Sequence, residues 1–189
     1  MRRNHTFWIV AMILLSTHCE QKDLLPATQR SMIDSLMREA NVTGLQLSYF
    51  EGENAVHHEF GYRNRQDSTE VTPNTIFEAA SLSKQVTALL ALRLIDAGKL
   101  NLQQLVTDIY EEPRLQNEPL TSQITVAHLL SHSSGLPNWG GNELQLDFEP
   151  GSQWQYSGEG YVLLSKVMEQ VMAKSFEDLT EAWVFEPLG

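Results

Sequence analysis

The sequence predicts an α/β fold in which two early strands are followed by a mostly helical region. Two stretches show the two-residue alternation of apolar positions that is typical of strands. The alternating positions are Leu45, Leu47 and Tyr49 in the first stretch and Val56, His58, Phe60 and Tyr62 in the second. The segment GEN at 52–54 separates them, as expected for the turn of an antiparallel hairpin. Two strands alone leave unpaired edges, so the predicted sheet is incomplete.

Apolar residues at helical spacing predict one helix before this hairpin and one after it. The stripe before the hairpin consists of Met32, Ile33, Leu36, Met37 and Ala40. After the hairpin, leucine and alanine occupy nearly all faces from Ser81 to Ala97, and Gly98 follows as a C-terminal cap. A helix that is apolar on nearly all faces is expected to be central and buried.

Three more helices are predicted towards the C-terminus. A short one lies in the segment that ends HLLSHSSGLPNWGG, and a longer one follows the Pro-Gly turn at 150–151. The apolar side of the longer helix consists of Tyr161, Leu164, Val167, Met168, Val171 and Met172. A last short helix leads to the closing FEPLG. Helices therefore dominate the chain after the hairpin.

Length and charge limit the classes of function. The 189 residues suffice for one domain, or for part of a larger one, and are too few for two comfortable domains. Acidic residues outnumber basic residues 24 to 13, which gives a net charge of -11. A surface of this sign repels phosphate, so we expect no nucleic-acid partner. Cys19 is the single cysteine, which excludes an intramolecular disulfide.

Residues 1–19 have the pattern of a signal peptide. Two arginines precede an apolar run from Phe7 to Leu15, which is too short to span a bilayer. We therefore expect export, either to the periplasm or to a lipid-anchored position on the bacterial envelope. Residues 20–27, EQKDLLPA, are predicted to form a short tether.

Cys19 lies where a bacterial lipoprotein signal places the cysteine that becomes acylated. The small residue that usually precedes this cysteine is replaced by His18. Two interpretations stay open. Either Cys19 is lipidated and attaches the protein to a membrane, or it is an unmodified cysteine in a discarded peptide.

The segment ASLSKQVTA contains the single Ser-x-x-Lys of the chain, formed by Ser81 and Lys84. Residues i and i+3 of a helix share a face, so the two side chains can come within hydrogen-bond distance. A serine hydroxyl must lose its proton to a neighbour as it attacks, and a lysine can accept that proton only as a neutral amine. Alone, the pair is also compatible with two ordinary polar residues at the start of a helix.

Four segments carry a longer pattern in a fixed order. They are TIFEAASLSKQVTALLALRLIDAGKLNLQQLV, ITVAHLLSHSSGLP, FEPGSQWQYSGEGYVLL and the closing FEPLG. Together they resemble the corresponding segments of the class C β-lactamase and penicillin-binding-protein-like serine hydrolases, whose first element is Ser-x-x-Lys. The resemblance covers roughly residues 28–189. It implies the serine β-lactamase/DD-peptidase-like fold, in which helices flank an antiparallel sheet beside a mostly helical region.

The resemblance also implies roles for three residues. Ser81 is the expected acylated nucleophile, and its backbone N–H forms half of the oxyanion hole. Lys84 is the amine that activates it, and Tyr156 is the phenol that relays protons between the nucleophile, the leaving group and the deacylating water. The implied enzyme needs no cofactor and acts on a peptidoglycan-related peptide, a β-lactam or a small ester.

Two departures from the family pattern qualify this expectation. The family's Tyr-x-Asn motif has Gly158 at its third position, which removes a polar contact with substrate and favours an esterase or peptidase over a β-lactamase. The family's third motif, Lys-Thr-Gly or His-x-Gly on a strand, has no counterpart in this sequence. We therefore expect residues 28–189 to be the N-terminal part of a longer domain that folds poorly and has negligible activity alone. The alternative is a non-catalytic or truncated relative that binds peptide or penicillin-like ligands, or nothing, as a sensor or a pseudoenzyme.

Metal binding is not favoured by the histidines. His128 and His132 lie at i and i+4, but Leu129 stands where the zinc-protease pattern has glutamate. His57 and His58 are neighbours on a predicted strand and therefore face opposite sides. We expect His128 and His132 to make local hydrogen bonds around the HSSG turn.

Overall fold

The structure is a computed structural model that describes residues 25–52 and 54–189. The predicted signal peptide, Cys19 and residues 20–24 of the predicted tether lie outside the described residues. The chain divides into two compact units, Met1–Phe77 and Glu78–Gly189. Among the described residues, no helix combines the length and the apolar character needed to cross a membrane.

The first unit contains a helix followed by an antiparallel hairpin. Helix α1 covers Ala27–Glu39, strand β1 covers Gly44–Glu51 and strand β2 covers Asn54–Asn64. The register pairs Leu45 with Phe60, Leu47 with His58 and Tyr49 with Val56. Directly paired residues lie on the same face of a sheet, so the alternation in the sequence predicted both strands and their shared face.

A third strand, β3 at Thr69–Glu70, pairs with β2 and gives the sheet order β1-β2-β3. The prediction of only two strands in this region was therefore wrong. A two-residue strand is too short to show alternation, so nothing in its own sequence reveals it. The turn before it is shaped by Asp67, whose side chain accepts a hydrogen bond from the Thr69 backbone N–H at 2.9 Å.

The core of the first unit is small. Leu25, Met37 and Phe60 are buried, and Ile33, Leu45 and Leu47 pack against them. Met32 and Leu36 are 63% and 51% exposed. The apolar stripe predicted on α1 is thus only partly buried, with Ile33 and Met37 facing the core.

The second unit consists of helices joined by turns and irregular segments, with an isolated β-bridge between Leu105 and Thr125. Helix α2 covers Ser83–Asp96, α3 covers Val126–Leu130, α4 covers Gly158–Met172 and α5 covers Phe176–Thr180. Shorter 3₁₀ turns lie at Ala80–Leu82, Val106–Asp108, Pro113–Leu115, Pro119–Gln123 and Glu186–Leu188, and a π turn lies at Glu181–Phe185. Gly98 has φ +67° directly after the C-cap of α2, as its predicted capping role requires.

Helices α2 and α4 contribute to one apolar core in this unit. Its fully buried large side chains are Leu90, Leu94, Ile124, Leu129, Leu136, Leu164, Met168 and Leu179. The opposite face of α2 is exposed to solvent, with Leu82 at 66%, Leu89 at 36% and Leu92 at 51%. The prediction that α2 is central and buried was wrong, because the described residues cover only one of its apolar faces.

Candidate active site

Ser81 lies in the exposed 3₁₀ turn that leads into α2. The preceding residue, Ala80, has φ +45°. This left-handed conformation costs a residue with a Cβ about 1–2 kcal/mol relative to the right-handed one. Residues held in such conformations cluster at functional sites. The backbone around the predicted nucleophile is therefore an unusual one.

Lys84 follows one helical turn later, in the first turn of α2. Its Nζ lies 3.5 Å from Ser81 Oγ, at the outer limit of a hydrogen bond. The same Nζ lies 4.9 Å from the ring centroid of Tyr156 and 5.7 Å from that of Tyr161. The structure thus brings together all three predicted catalytic residues, Ser81, Lys84 and Tyr156. Catalytic hydrogen bonds are often long without substrate, so this geometry suits proton transfer.

The surroundings of Tyr156 lower the pKa of its phenol. Hydrogen bonding to Ser81 and to Lys84 lowers the pKa of the phenol below 10 against the opposing effect of burial, and the Lys84 charge adds to the lowering. A cation next to a phenol stabilises the phenolate, which is the state that can accept a proton. The residue at the turn before α4 therefore has the electrostatic setting of a base.

His132 is a further member of the cluster, and the prediction that its side chain hydrogen-bonds locally around the HSSG turn was wrong. Its Nδ1 accepts a hydrogen bond from the backbone N–H of Ser157 at 3.1 Å. Its ring centroid lies 4.7 Å from that of Tyr156 and 4.9 Å from that of Tyr161. Burial, and to a smaller extent the Lys84 charge, lowers the pKa of His132. The sequence signal for a functional role of His132 was its place in the HLLSHSSGLP segment. Its side-chain partner, Ser157, is too distant in the sequence to be predicted.

His128 has a different, local function. Its Nδ1 accepts from the Thr125 backbone N–H at 3.3 Å, while Thr125 Oγ1 accepts from the His128 backbone N–H at 3.3 Å. This reciprocal pair caps the N-terminus of α3. Across residues 25–52 and 54–189, no three His, Cys, Asp or Glu side chains are grouped as ligands for a metal ion.

The first turn of α4, next to Tyr156, is held by buried polar contacts. Ser157 Oγ caps the helix by accepting from the Gly160 N–H at 2.8 Å, and it donates to the Pro137 carbonyl at 2.9 Å. Glu159 is 5% exposed and accepts two hydrogen bonds from Arg114, at 2.7 and 3.2 Å. Glu159 was not predicted from the sequence, because a glutamate in a first helical turn ordinarily faces solvent.

Gly158 has a structural reason to be glycine. A Cβ at this position would lie 2.5 Å from the Asn138 carbonyl oxygen, 3.1 Å from Asn138 Oδ1 and 3.0 Å from the Trp139 ring. The Gly158 N–H donates to the same Asn138 carbonyl at 3.0 Å. The loop at 138–139 thus fills the space that an asparagine side chain would need. That Gly158 borders bound substrate stays a prediction.

The fold is that of the serine β-lactamase and penicillin-binding-protein class. The chain belongs to the Beta-lactamase family, whose family model matches residues 30–189. The resemblance noted in the sequence is therefore confirmed, and so is the fold class that it implied.

Individual relatives agree with this assignment. The chain is 30% identical to a penicillin-binding protein of Bacillus subtilis, over 85% of this chain and 39% of that protein. It is also 30% identical to Esterase EstB of Burkholderia gladioli, over 87% of this chain and 50% of the esterase. Among solved structures, the octameric penicillin-binding protein homologue from Pyrococcus abyssi matches with TM-score 0.70 and 31% identity, over 85% of this chain and 42% of that one. The chain spans half or less of the length of these relatives.

Proposed function

We propose that this protein is an exported serine hydrolase that forms an acyl-enzyme through Ser81. The observation that carries the proposal is the convergence of Ser81 Oγ and Lys84 Nζ, 3.5 Å apart, with the phenol of Tyr156. These three groups provide a nucleophile, a cation and a base within one small volume. Export rests on the signal-peptide pattern of residues 1–19, and membrane attachment on Cys19.

The geometry favours a specific division of labour. Tyr156, as a phenolate, accepts the Ser81 proton while Oγ attacks the substrate carbonyl carbon. Lys84 donates a hydrogen bond to Oγ, and its charge stabilises the phenolate. The Ser81 N–H binds the oxyanion that forms. When the tetrahedral adduct collapses, Tyr156 returns the proton to the leaving group, and it then deprotonates the water that hydrolyses the acyl-enzyme.

The substrate class follows from the surroundings of Tyr156. Position 158 lacks a side-chain amide, so it offers no side-chain hydrogen bond to the amide groups of a β-lactam or peptide. Trp139 contacts the Gly158 position, Trp154 lies edge-on to His132, and their side chains are 67% and 69% exposed. Exposed indoles provide apolar contact area. A small ester with an apolar group is therefore the favoured substrate, ahead of a peptidoglycan-related peptide or a β-lactam.

A second candidate is a penicillin-binding relative that is acylated at Ser81 and does not turn over. Gly158 favours it, because the missing side-chain amide removes a polar contact with substrate that efficient hydrolysis of a β-lactam would use. Both candidates require acylation, and they differ only in the release of the acyl group.

The test is intact mass spectrometry of the protein from its native producer, before and after incubation with a fluorophosphonate or a penicillin. We expect one adduct on the wild-type protein and none on Ser81→Ala. Ser83→Ala is the matched control, because Ser83 is exposed two residues away and should leave the adduct intact. An unlabelled wild-type protein, or an adduct that persists in Ser81→Ala, would refute the proposal. Loss of a penicillin adduct over time identifies the hydrolase, and its persistence identifies the sensor.

A further inference from the structure

We propose that His132 is a positioning residue that holds Tyr156 in the place from which it transfers protons. The proposal deepens the function proposed above and rests on it for its catalytic meaning. His132 contacts the segment around Tyr156 with its carbonyl, its ring nitrogen and its ring face. Each of these contacts acts on Tyr156 or on one of its two neighbours, so together they determine where the phenol lies.

Two hydrogen bonds attach His132 to the backbone on both sides of Tyr156. The His132 carbonyl accepts from the Gln155 N–H at 2.9 Å. The His132 Nδ1 accepts from the Ser157 N–H at 3.1 Å. Because Gln155 and Ser157 are both hydrogen-bonded to His132, the backbone of Tyr156 between them has little freedom to move. The backbone of Tyr156 is therefore held by one residue from a distant loop.

The backbone of His132 is itself unusual, with φ +57°. Histidine is one of the few residues that adopt this left-handed conformation with any frequency, yet it remains a costly one. Such a conformation persists where surrounding contacts determine it. The bonds to Gln155 and Ser157 are contacts of this kind, since they use both the carbonyl and the side chain of His132.

The His132 ring also lies against the Tyr156 ring. The interplanar angle is 34° to Tyr156 and 33° to Tyr161, at the centroid distances given above. Tyr161 is held by its hydroxyl, which donates to the Leu130 carbonyl at 3.2 Å. The three rings thus form a tilted cluster that is anchored at the end of α3, and Lys84 Nζ lies within 6 Å of both tyrosine rings.

The charge state of His132 follows from its hydrogen bond. A ring nitrogen that accepts from a backbone N–H must carry a lone pair, so the ring is neutral with its proton on Nε2. A protonated ring would lose the bond to Ser157 and add a second cation beside Lys84. The charged or titratable groups around His132 are Lys84, Tyr156 and Tyr161, and among them only Lys84 is a cation. The Lys84 charge disfavours the imidazolium, and the Ser157 N–H points at the nitrogen that a second proton would occupy.

Two substitutions separate the two side-chain contacts. His132→Asn keeps a short acceptor for the Ser157 N–H and tolerates the left-handed backbone, but it removes the ring. His132→Phe keeps the ring and removes the acceptor. His128→Asn is the matched control, because His128 belongs to the same sequence segment and caps α3 without contacting Tyr156.

The first readout is the rate of Ser81 acylation by a fluorophosphonate as a function of pH. We expect both His132 variants to react about ten to a hundred times more slowly, as for partial loss of general-base catalysis. We expect their pH profiles to shift to higher pH and the His128→Asn profile to match the wild type. Unchanged rates and profiles in both His132 variants would overturn the proposal.

The second readout does not depend on catalysis. A titration of ¹³C-labelled tyrosine by NMR, with the Tyr156 signal assigned through Tyr156→Phe, should show a higher pKa for Tyr156 in both His132 variants. If the wild-type protein is not acylated, the proposed function fails while this titration still tests the positioning role. If a variant does not fold, the ¹⁵N shifts of the His132 ring in the wild-type protein provide the test. A protonated Nδ1 contradicts the proposal, whereas an unprotonated Nδ1 with a protonated Nε2 supports it.

Discussion

The N-terminal ends of helices α2 and α4 both lie at the candidate site, but the two ends are held very differently. The first turn of α4 is capped by Ser157 and contains Glu159, which is buried against Arg114. The start of α2 has Leu82 at its N-cap position, and this side chain cannot accept a hydrogen bond. The turn before α2 is exposed and includes the left-handed Ala80.

The same contrast appears in their packing. Helix α4 buries Leu163, Leu164, Val167 and Met168. Helix α2 buries Leu90, Ala91 and Leu94 and leaves two leucines, Leu89 and Leu92, exposed to solvent on its other face. Contiguous exposed apolar residues are unusual on a soluble monomer. The tyrosine side of the site is thus fully supported by the described residues, whereas the nucleophile side is supported on one face only.

The largest effect is expected from the buried leucines of both helices. Leu94→Ala on α2 and Leu164→Ala on α4 should each lower the free energy of unfolding by about 2–5 kcal/mol, because both side chains are fully buried. Urea denaturation of the two variants measures this. A cost below about 1 kcal/mol for Leu94→Ala alone would mean that α2 is not packed in solution.

The next largest effect on stability is expected from Glu159, whose carboxylate accepts hydrogen bonds in the first turn of α4. Glu159→Gln should lower the free energy of unfolding by about 2 kcal/mol, the scale of a charged hydrogen bond, because it removes the carboxylate that Arg114 and the Gly140 N–H contact. Glu143→Gln is the control, since Glu143 is exposed and should change stability by less than about 0.5 kcal/mol. Equal effects of the two variants in urea denaturation would contradict a stabilising Glu159.

Glu159 also predicts a pH dependence. Burial raises the pKa of Glu159, but the hydrogen bonds from Arg114 and Gly140 and the Arg114 charge outweigh it, so this pKa lies below 4.5. A carboxyl whose pKa is lowered by folding stabilises the fold above its unfolded pKa and loses that effect as pH falls through the folded value. The Tm difference between wild type and Glu159→Gln should therefore be constant above about pH 5 and shrink below about pH 4.5. A difference that does not change down to about pH 3 would disagree with this.

A smaller effect is expected from the helix cap. Ser157→Ala should lower the free energy of unfolding by about 1 kcal/mol, because the Gly160 N–H loses its acceptor. Ser157→Thr keeps a hydroxyl that can both accept from the Gly160 N–H and donate to the Pro137 carbonyl, so it should recover part of this loss. Thermal unfolding of the two variants compares them, and a neutral Ser157→Ala would show that the cap does not anchor α4.

The smallest effect is expected on the exposed face of α2. Leu92→Ala should change the free energy of unfolding by less than about 0.5 kcal/mol, because the side chain is 51% exposed. Leu92→Ala and Leu94→Ala form a matched pair of variants, because both leucines lie on α2 and only Leu94 is buried. A cost comparable to that of Leu94→Ala would mean that something covers this face in solution, and concentration-dependent sedimentation would then reveal self-association.

Much of the fold was predictable from local pattern. The hairpin followed from the alternation at 45–62, and α4 from its apolar spacing. Strand β3 was not predictable, because two residues carry no periodicity. The exposure of α2 was mispredicted, because an apolar sequence shows that a helix can be buried and does not show what covers it.

By itself, the sequence determined the relation between Ser81 and Lys84, because residues three apart near the start of a helix meet wherever that helix lies. It also determined the shared face of β1 and β2, since pairing across a short turn is local. Only the tertiary structure decided that His132 bonds to the residues on both sides of Tyr156, and that Arg114 lies over Glu159. These contacts join loops and helices that are distant in the chain, and their geometry depends on how the core packs them together.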